Sequence, residues 1–189
     1  MYTTSDFKKG LKIEIDGTPY VIVDFLHVKP GKGGAFVRTK IKNLITGRVL
    51  EQNFRSGEKF ARPDLQEKSM QYLYQEGDSY CLMDNETFEQ LSLTAEQMGD
   101  SRNFLQDNIN MQVLFYKGQP IGVELPTFVE LAIAHTEPGV RGDTASGATK
   151  PATLETGAPI QVPLFIEEGD VVKIDTRTGG YIERVKQTS

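Results

Sequence analysis

Lys32 sits in the run Val28-Lys29-Pro30-Gly31-Lys32-Gly33-Gly34-Ala35 with a glycine on each side. Pro30 fixes one backbone angle, and the glycines permit tight or left-handed geometry without adding bulk. Such a run presents one primary amine at a narrow tip, as a probe for a crevice or as a target for modification. An ordinary glycine turn with an exposed lysine is the plainer reading of the same spacing. A phosphate-binding loop does not fit, because Gly33 follows Lys32 where that motif needs Ser or Thr. Beyond the loop, Arg38, Lys40 and Lys42 alternate with Val37, Thr39 and Ile41. On a strand, that alternation places three cations on one face about 6.5 Å apart, a spacing suited to a phosphate backbone. Residues 27–62 carry nine Lys and Arg against Glu51 and Glu58 alone. A solvated strand face explains the pattern equally well.

Other chemistries find little purchase. No paired acid and base, nucleophile elbow or Cys/His pair has supporting spacing, so the chain is not read as an enzyme. Cys81, His27 and His135 are too few for a zinc site, and neither a metal nor a cofactor is expected. Cys81 reads as a small buried residue, and Glu86, Glu89, Glu96 and Asp100 as solvated surface. Phe115, Tyr116 and Phe165 lie in strand-like patterns and are assigned to the core. The glycosylation pattern Asn85-Glu86-Thr87 and the tripeptide Arg141-Gly142-Asp143 are set aside as coincidental.

The elements that must position these residues are mostly strands. Leu11, Ile13 and Ile15 alternate with polar residues, and Val129, Leu131 and Ile133 with more weakly polar positions, while turn signals recur at Asp16-Gly17, Thr46-Gly47, Glu76-Gly77-Asp78, Lys117-Gly118 and Gly179-Gly180. One helical start is legible at Thr94-Ala95-Glu96-Gln97, a capping box opening a short helical region near 94–108. The run 138–158, rich in Gly, Thr, Ser, Ala and Pro, reads as a long loop, with a linker as the alternative. No repeat is visible within the 189 residues.

Charge divides the chain into blocks. Residues 1–64 hold 12 basic and 7 acidic groups, residues 65–128 hold 3 and 10, and residues 129–189 hold 6 and 9, within an overall net charge of −5. Segments of this size suit small β-barrels of the SH3-like or OB kind. The expected architecture is therefore mainly β, with three consecutive barrels at 1–64, 65–128 and 129–189. No apolar run reaches membrane-spanning length, and no secretory signal opens the chain, so a soluble, cytoplasmic protein is expected.

Further motifs stand at Asp6-Phe7-Lys8-Lys9-Gly10-Leu11, Lys29-Pro30-Gly31-Lys32-Gly33, Met70-Gln71-Tyr72-Leu73-Tyr74, Glu124-Leu125-Pro126, the run from Thr136-Glu137-Pro138-Gly139 to Glu167-Glu168-Gly169, and Gly179-Gly180-Tyr181-Ile182-Glu183-Arg184-Val185. On these motifs the chain resembles, over essentially its whole length, the bacterial elongation factor P family. The resemblance implies an SH3-like barrel followed by two OB-type barrels in an L-shaped, tRNA-like arrangement. It implies a monomeric translation factor, bound to ribosomal RNA and proteins between the peptidyl and exit sites, that relieves stalling at consecutive prolines. It assigns Lys32 to the tip beside the end of the peptidyl-tRNA, with Lys29, Pro30, Gly31, Gly33 and Gly34 around it, and suggests a lysine-modifying enzyme acting on Lys32. It places Gly142, Asp143, Thr144, Ala145, Ser146 and Gly147 near the exit-site codon of the mRNA and the small subunit, and it matches Tyr181 and Arg184 to a motif of the last domain. A stand-alone OB-type protein that binds single-stranded RNA is the alternative.

Overall fold

The computed structural model describes residues 1–139 and 147–185. Contact density divides the chain into two compact units, one comprising residues 1–67 with 114–122 and the other residues 68–113 with 123 onward.

In the first unit, strands β1 (Tyr2–Thr3), β2 (Lys12–Ile15), β3 (Thr18–Val28), β4 (Phe36–Asn43), β5 (Val49–Arg55) and β6 (Lys59–Phe60) form an antiparallel meander β2-β3-β4-β5 and a short β1-β6 pair. The β2–β3 turn has only Asp16 and Gly17 between paired Ile15 and Thr18, and both central residues have positive φ (50° and 77°). That is the two-residue hairpin whose twist matches the strands it joins. The core gathers Phe7, Leu11, Ile13, Ile22, Val37, Ile41, Phe54 and Phe60. Phe7 packs edge-on against Phe54 at 6.1 Å, and Phe54 against Phe60 at 4.8 Å.

Strict alternation along β3 would send Asp24 inward after Tyr20 and Ile22. A bulge prevents it: Ile22 pairs with Ile41 and Asp24 with Lys40, leaving Val23 as the extra residue. The added residue turns Asp24 to solvent and brings Phe25 against the core.

Ten further strands follow: β7 (Leu65–Glu76), β8 (Ser79–Asp84), β9 (Gln90–Thr94), β10 (Asn110–Tyr116), β11 (Gln119–Glu124), β12 (Phe128–Thr136), β13 (Thr149–Leu154), β14 (Pro159–Pro163), β15 (Val171–Asp175) and β16 (Gly180–Arg184). They form two five-stranded sheets, β11-β10-β7-β8-β9 and β14-β13-β12-β15-β16. Each sheet places its own first strand in the centre, flanked by its second and fourth. Each central strand also bulges against its second strand, at Leu73 of β7 and at Ala134 of β12. The two sheets thus share a five-stranded OB-type order with no legible sequence repeat. The edge strands β14 and β16 approach one another, curling the last sheet around Val129, Leu131, Ile133, Leu154, Val162, Ile166, Val172 and Ile174.

The capping box forms as its residues predict. Thr94 Oγ1 accepts the Gln97 N–H at 3.2 Å, and Gln97 Oε1 accepts the Thr94 N–H at 2.8 Å. Together they open helix α1 (Ala95–Met98), which continues as a 3₁₀ segment over Gly99–Phe104. Cys81 is buried, as expected of a small apolar side chain.

Two expectations fail. The run 138–158 is not a continuous loop, because β13 lies within it with Lys150, Ala152 and Leu154 alternating inward. Charged Lys150 and small Ala152 at two of the inward positions hid that period of two. Phe165 is not core: it stands in the turn after β14 with 58% of its surface exposed. Its aliphatic neighbour Ile166 takes the buried place instead. Among the described residues, no helix is long and apolar enough to cross a membrane.

Candidate nucleic-acid interface

The β3–β4 hairpin supplies both parts of the predicted basic site. Its last paired residues are Val28 and Phe36, so Lys29–Ala35 form the connection and Lys32 is the middle residue. Lys29, Pro30, Gly31, Lys32, Gly33 and Gly34 are all exposed. At the base of the loop, the Ser56 N–H donates to the Ala35 carbonyl at 3.1 Å.

The loop glycines differ in why they are there. Gly33 has φ +94°, a conformation that L side chains adopt only with strain. Gly31 and Gly34 lie outside that region, and a Cβ on either would meet nothing within 4 Å. The isolated fold therefore requires glycine at only one of the three positions.

On β4, Val37, Thr39 and Ile41 are fully buried and Arg38, Lys40 and Lys42 are exposed, so the three cations do share one face. The face is less uniformly positive than counting along the chain suggests. Lys40 lies in register between Asp24 on β3 and Glu51 on β5, while Arg38 lies between Leu26 and Asn53, and Lys42 between Val21 and Val49. Asp24 precedes the counted window in sequence yet neighbours its centre in the sheet, and it also lies 3.9 Å from Lys9 Nζ. The fold adds exposed Arg55, paired with Phe36 at the base of the loop. His27 is paired with buried Val37 and so lies on the opposite face, its ring meeting Phe25 edge-on at 5.7 Å. Strand pairing supplies Arg55 as a neighbour of the basic face, which spacing along a single strand does not reveal.

In the second unit, Tyr181 and Arg184 are brought together on β16, where Ile182 is the extra residue of a bulge between the Lys173–Glu183 and Ile174–Tyr181 pairs. Burial raises the Tyr181 phenol above its ordinary range, opposed by a hydrogen bond from the Arg184 backbone. The Arg184 guanidinium lies 5.3 Å above the Phe165 ring and 4.0 Å from Asp170. This exposed cation–aromatic pair escapes a reading that treats Phe165 as core. Gly147, just before β13, is exposed with φ +85°. The other residues of that predicted loop, Gly142, Asp143, Thr144, Ala145 and Ser146, lie outside the described residues.

Comparison with known proteins decides the family. Residues 3–60 match the elongation factor P KOW-like domain, residues 65–123 its OB domain and residues 129–184 its C-terminal domain. Elongation factor P of Moorella thermoacetica is 62% identical over 184 residues, covering 97% of this chain and all of that protein. The chain belongs to the elongation factor P family. A second elongation factor P, from Natranaerobius thermophilus, is 58% identical over 98% of this chain and 99% of its own length. Among solved structures, a translation initiation factor 5A from Methanococcus jannaschii superposes with a TM-score of 0.56 at 26% identity, covering 66% of this chain and 92% of that one. A factor 5A family protein from Naegleria fowleri, at 17% identity and a TM-score of 0.51, shares the fold. The family and the mainly β architecture, with KOW-like and OB domains, thus agree with the reading of the residues, and the protein is a translation elongation factor.

Proposed function

We propose that this factor binds the ribosome between the peptidyl and exit sites and stimulates peptide bond formation at consecutive prolines, with the Lys32 amine beside the end of the peptidyl-tRNA. The observation that carries the proposal is the loop itself: an exposed lysine at the centre of a connection in which two of three glycines have no reason within the fold. Absence of bulk at Gly31 and Gly34 serves entry into a narrow space. In this reading the barrel at 1–64 presents the tip, and the barrels at 65–128 and 129–189 form the rest of the ribosome-bound body. Tyr181, Arg184 and the loop from Gly142 to Gly147 are assigned to ribosomal and exit-site codon contacts.

The physical effect is one of orientation. Proline is a secondary amine with a fixed ring, so a prolyl acceptor and a proline-ended peptide reach attack geometry poorly. A group that holds the peptidyl end in place lowers the barrier without donating or removing a proton. An exposed Lys32 is also accessible to a modifying enzyme that would lengthen its reach.

The basic face makes a separate contribution as a salt-dependent anchor. Arg38→Gln and Lys42→Gln should each lower the slope of log affinity against log salt by about one, as expected for each phosphate contact removed. Lys40→Gln should change it less, because Asp24 and Glu51 flank it. Ribosome binding measured from low to physiological salt checks this order. Equal slopes for all three variants and the parent would exclude the strand from the interface.

A further inference from the structure

The loop-bearing barrel is fastened within its unit by a contact that neither the basic face nor the tip explains. Tyr116, at the end of β10, is 8% exposed, and its hydroxyl donates to the Glu14 carboxylate and lies 2.9 Å from the Gly17 carbonyl. Lys117 Nζ lies 3.9 Å from the same Glu14 oxygen and 5.2 Å from the Tyr116 ring centre. Two backbone bonds frame the cluster: the Lys117 N–H donates to the Asp64 carbonyl and the Glu14 N–H to the Ala61 carbonyl, both at 3.0 Å. The tip of the β10–β11 hairpin therefore meets the β2–β3 turn and the chain leaving the barrel at one place. The hydrogen bond to Glu14 raises the Tyr116 phenol above its ordinary range, with burial adding to the effect, so the hydroxyl keeps its proton.

A phenylalanine would fill the same volume, so volume alone does not call for tyrosine at position 116. The hydroxyl contributes direction, because it is aimed at two acceptors on the β2–β3 hairpin. A barrel joined only through the chain at 61–65 can turn about that connection. A second attachment through a partly buried network, whose members reinforce one another, removes that freedom.

We propose that Tyr116, with Glu14 and Lys117, is a positioning residue: the clasp holds the Lys32-bearing barrel on the β10–β11 hairpin so that the tip arrives already oriented. This rests on the ribosomal reading above. Orientation settled before binding affects the rate of the positioned reaction more than the occupancy of the factor.

The test uses Tyr116→Phe, Glu14→Met and the double variant in the full-length protein. Nitrogen-15 relaxation compares the tumbling of amides in β2–β5 with that of amides in β10–β11. The parent should show a common correlation time, and Tyr116→Phe separate ones. In reconstituted synthesis of a Pro–Pro bond, the maximal stimulated rate should fall about tenfold, while the concentration giving half the effect changes less than about twofold. The double variant should lose no more than either single one, as members of one network do. Glu14→Met keeps the length of its side chain but removes the acceptor, and it serves if Tyr116→Phe does not fold. Common tumbling in both single variants overturns the clasp, as does a lowered melting temperature with an unchanged maximal rate. If the parent itself gives no Pro–Pro stimulation, the ribosomal reading fails, and with it the orienting role, while the relaxation comparison still decides whether the clasp fastens the barrel.

Discussion

Lys32→Ala should leave the protein folded and bound to ribosomes but unable to relieve a proline stall. The side chain is exposed at the centre of the β3–β4 connection, so its removal takes nothing from the core. Loss of one phosphate-binding cation among several should cost about threefold in affinity at physiological salt. Loss of a group that fixes reactant geometry should cost about 100-fold in the rate it supports. The separation between these effects distinguishes the proposed factor from a general binder of single-stranded RNA. Such a binder, with nine cations across residues 27–62, would register a small affinity change and nothing more. The check is Pro–Pro bond formation at saturating factor, alongside ribosome pelleting of the same preparation. A parallel threefold change in both would favour the RNA binder.

The glycines around Lys32 give a second large expected effect, one that distinguishes fold from docking. Gly31→Leu and Gly34→Leu should change stability by no more than about 0.5 kcal/mol, because a Cβ at either position enters open space and the backbone is outside the left-handed region. Both should nonetheless abolish stimulation, since a branched side chain beside the tip obstructs entry into a narrow site. Gly33→Ala should do the reverse in part, costing about 1–2 kcal/mol through strain at φ +94° while adding only one methyl group. Urea denaturation and Pro–Pro synthesis on the same three variants check the pattern. Full activity in the two leucine variants would show that the tip does not enter a confined space.

Much of what positions this site was legible in the residues. The alternation of Val37, Thr39 and Ile41 with three cations specifies which face of β4 is buried, because a strand has a period of two and cannot hide both sets. Asp16-Gly17 specifies a two-residue turn, and the pair Thr94 and Gln97 specifies a helix start. What was not legible depends on pairing between strands. The bulge at Val23 decides whether Asp24 faces core or solvent, and neighbouring strands decide that Lys40 lies between Asp24 and Glu51. Tyr116 was rightly assigned to the core by its ring, but the meaning of its hydroxyl depends on Glu14, 102 residues away. Strand β13 was hidden because its inward positions include charged Lys150 and small Ala152, which carry little apolar signal. Phe165 misled for the opposite reason: a large aromatic within an apolar run suggests burial, and the turn after β14 exposes it instead.

A factor that acts on the geometry of a difficult peptide bond shows its effect in a single-turnover rate. Ribosomes carrying a proline-ended peptidyl-tRNA would be mixed rapidly with prolyl-tRNA, with and without the factor purified from its native host so that any addition to Lys32 is retained. The mass of the Lys32 peptide would be recorded on the same sample. Pro–Pro bond formation should accelerate greatly, with little change for a pair of residues that react readily unaided. Equal rates with and without the factor on the Pro–Pro pair, at concentrations where it is bound, would rule out an orienting role.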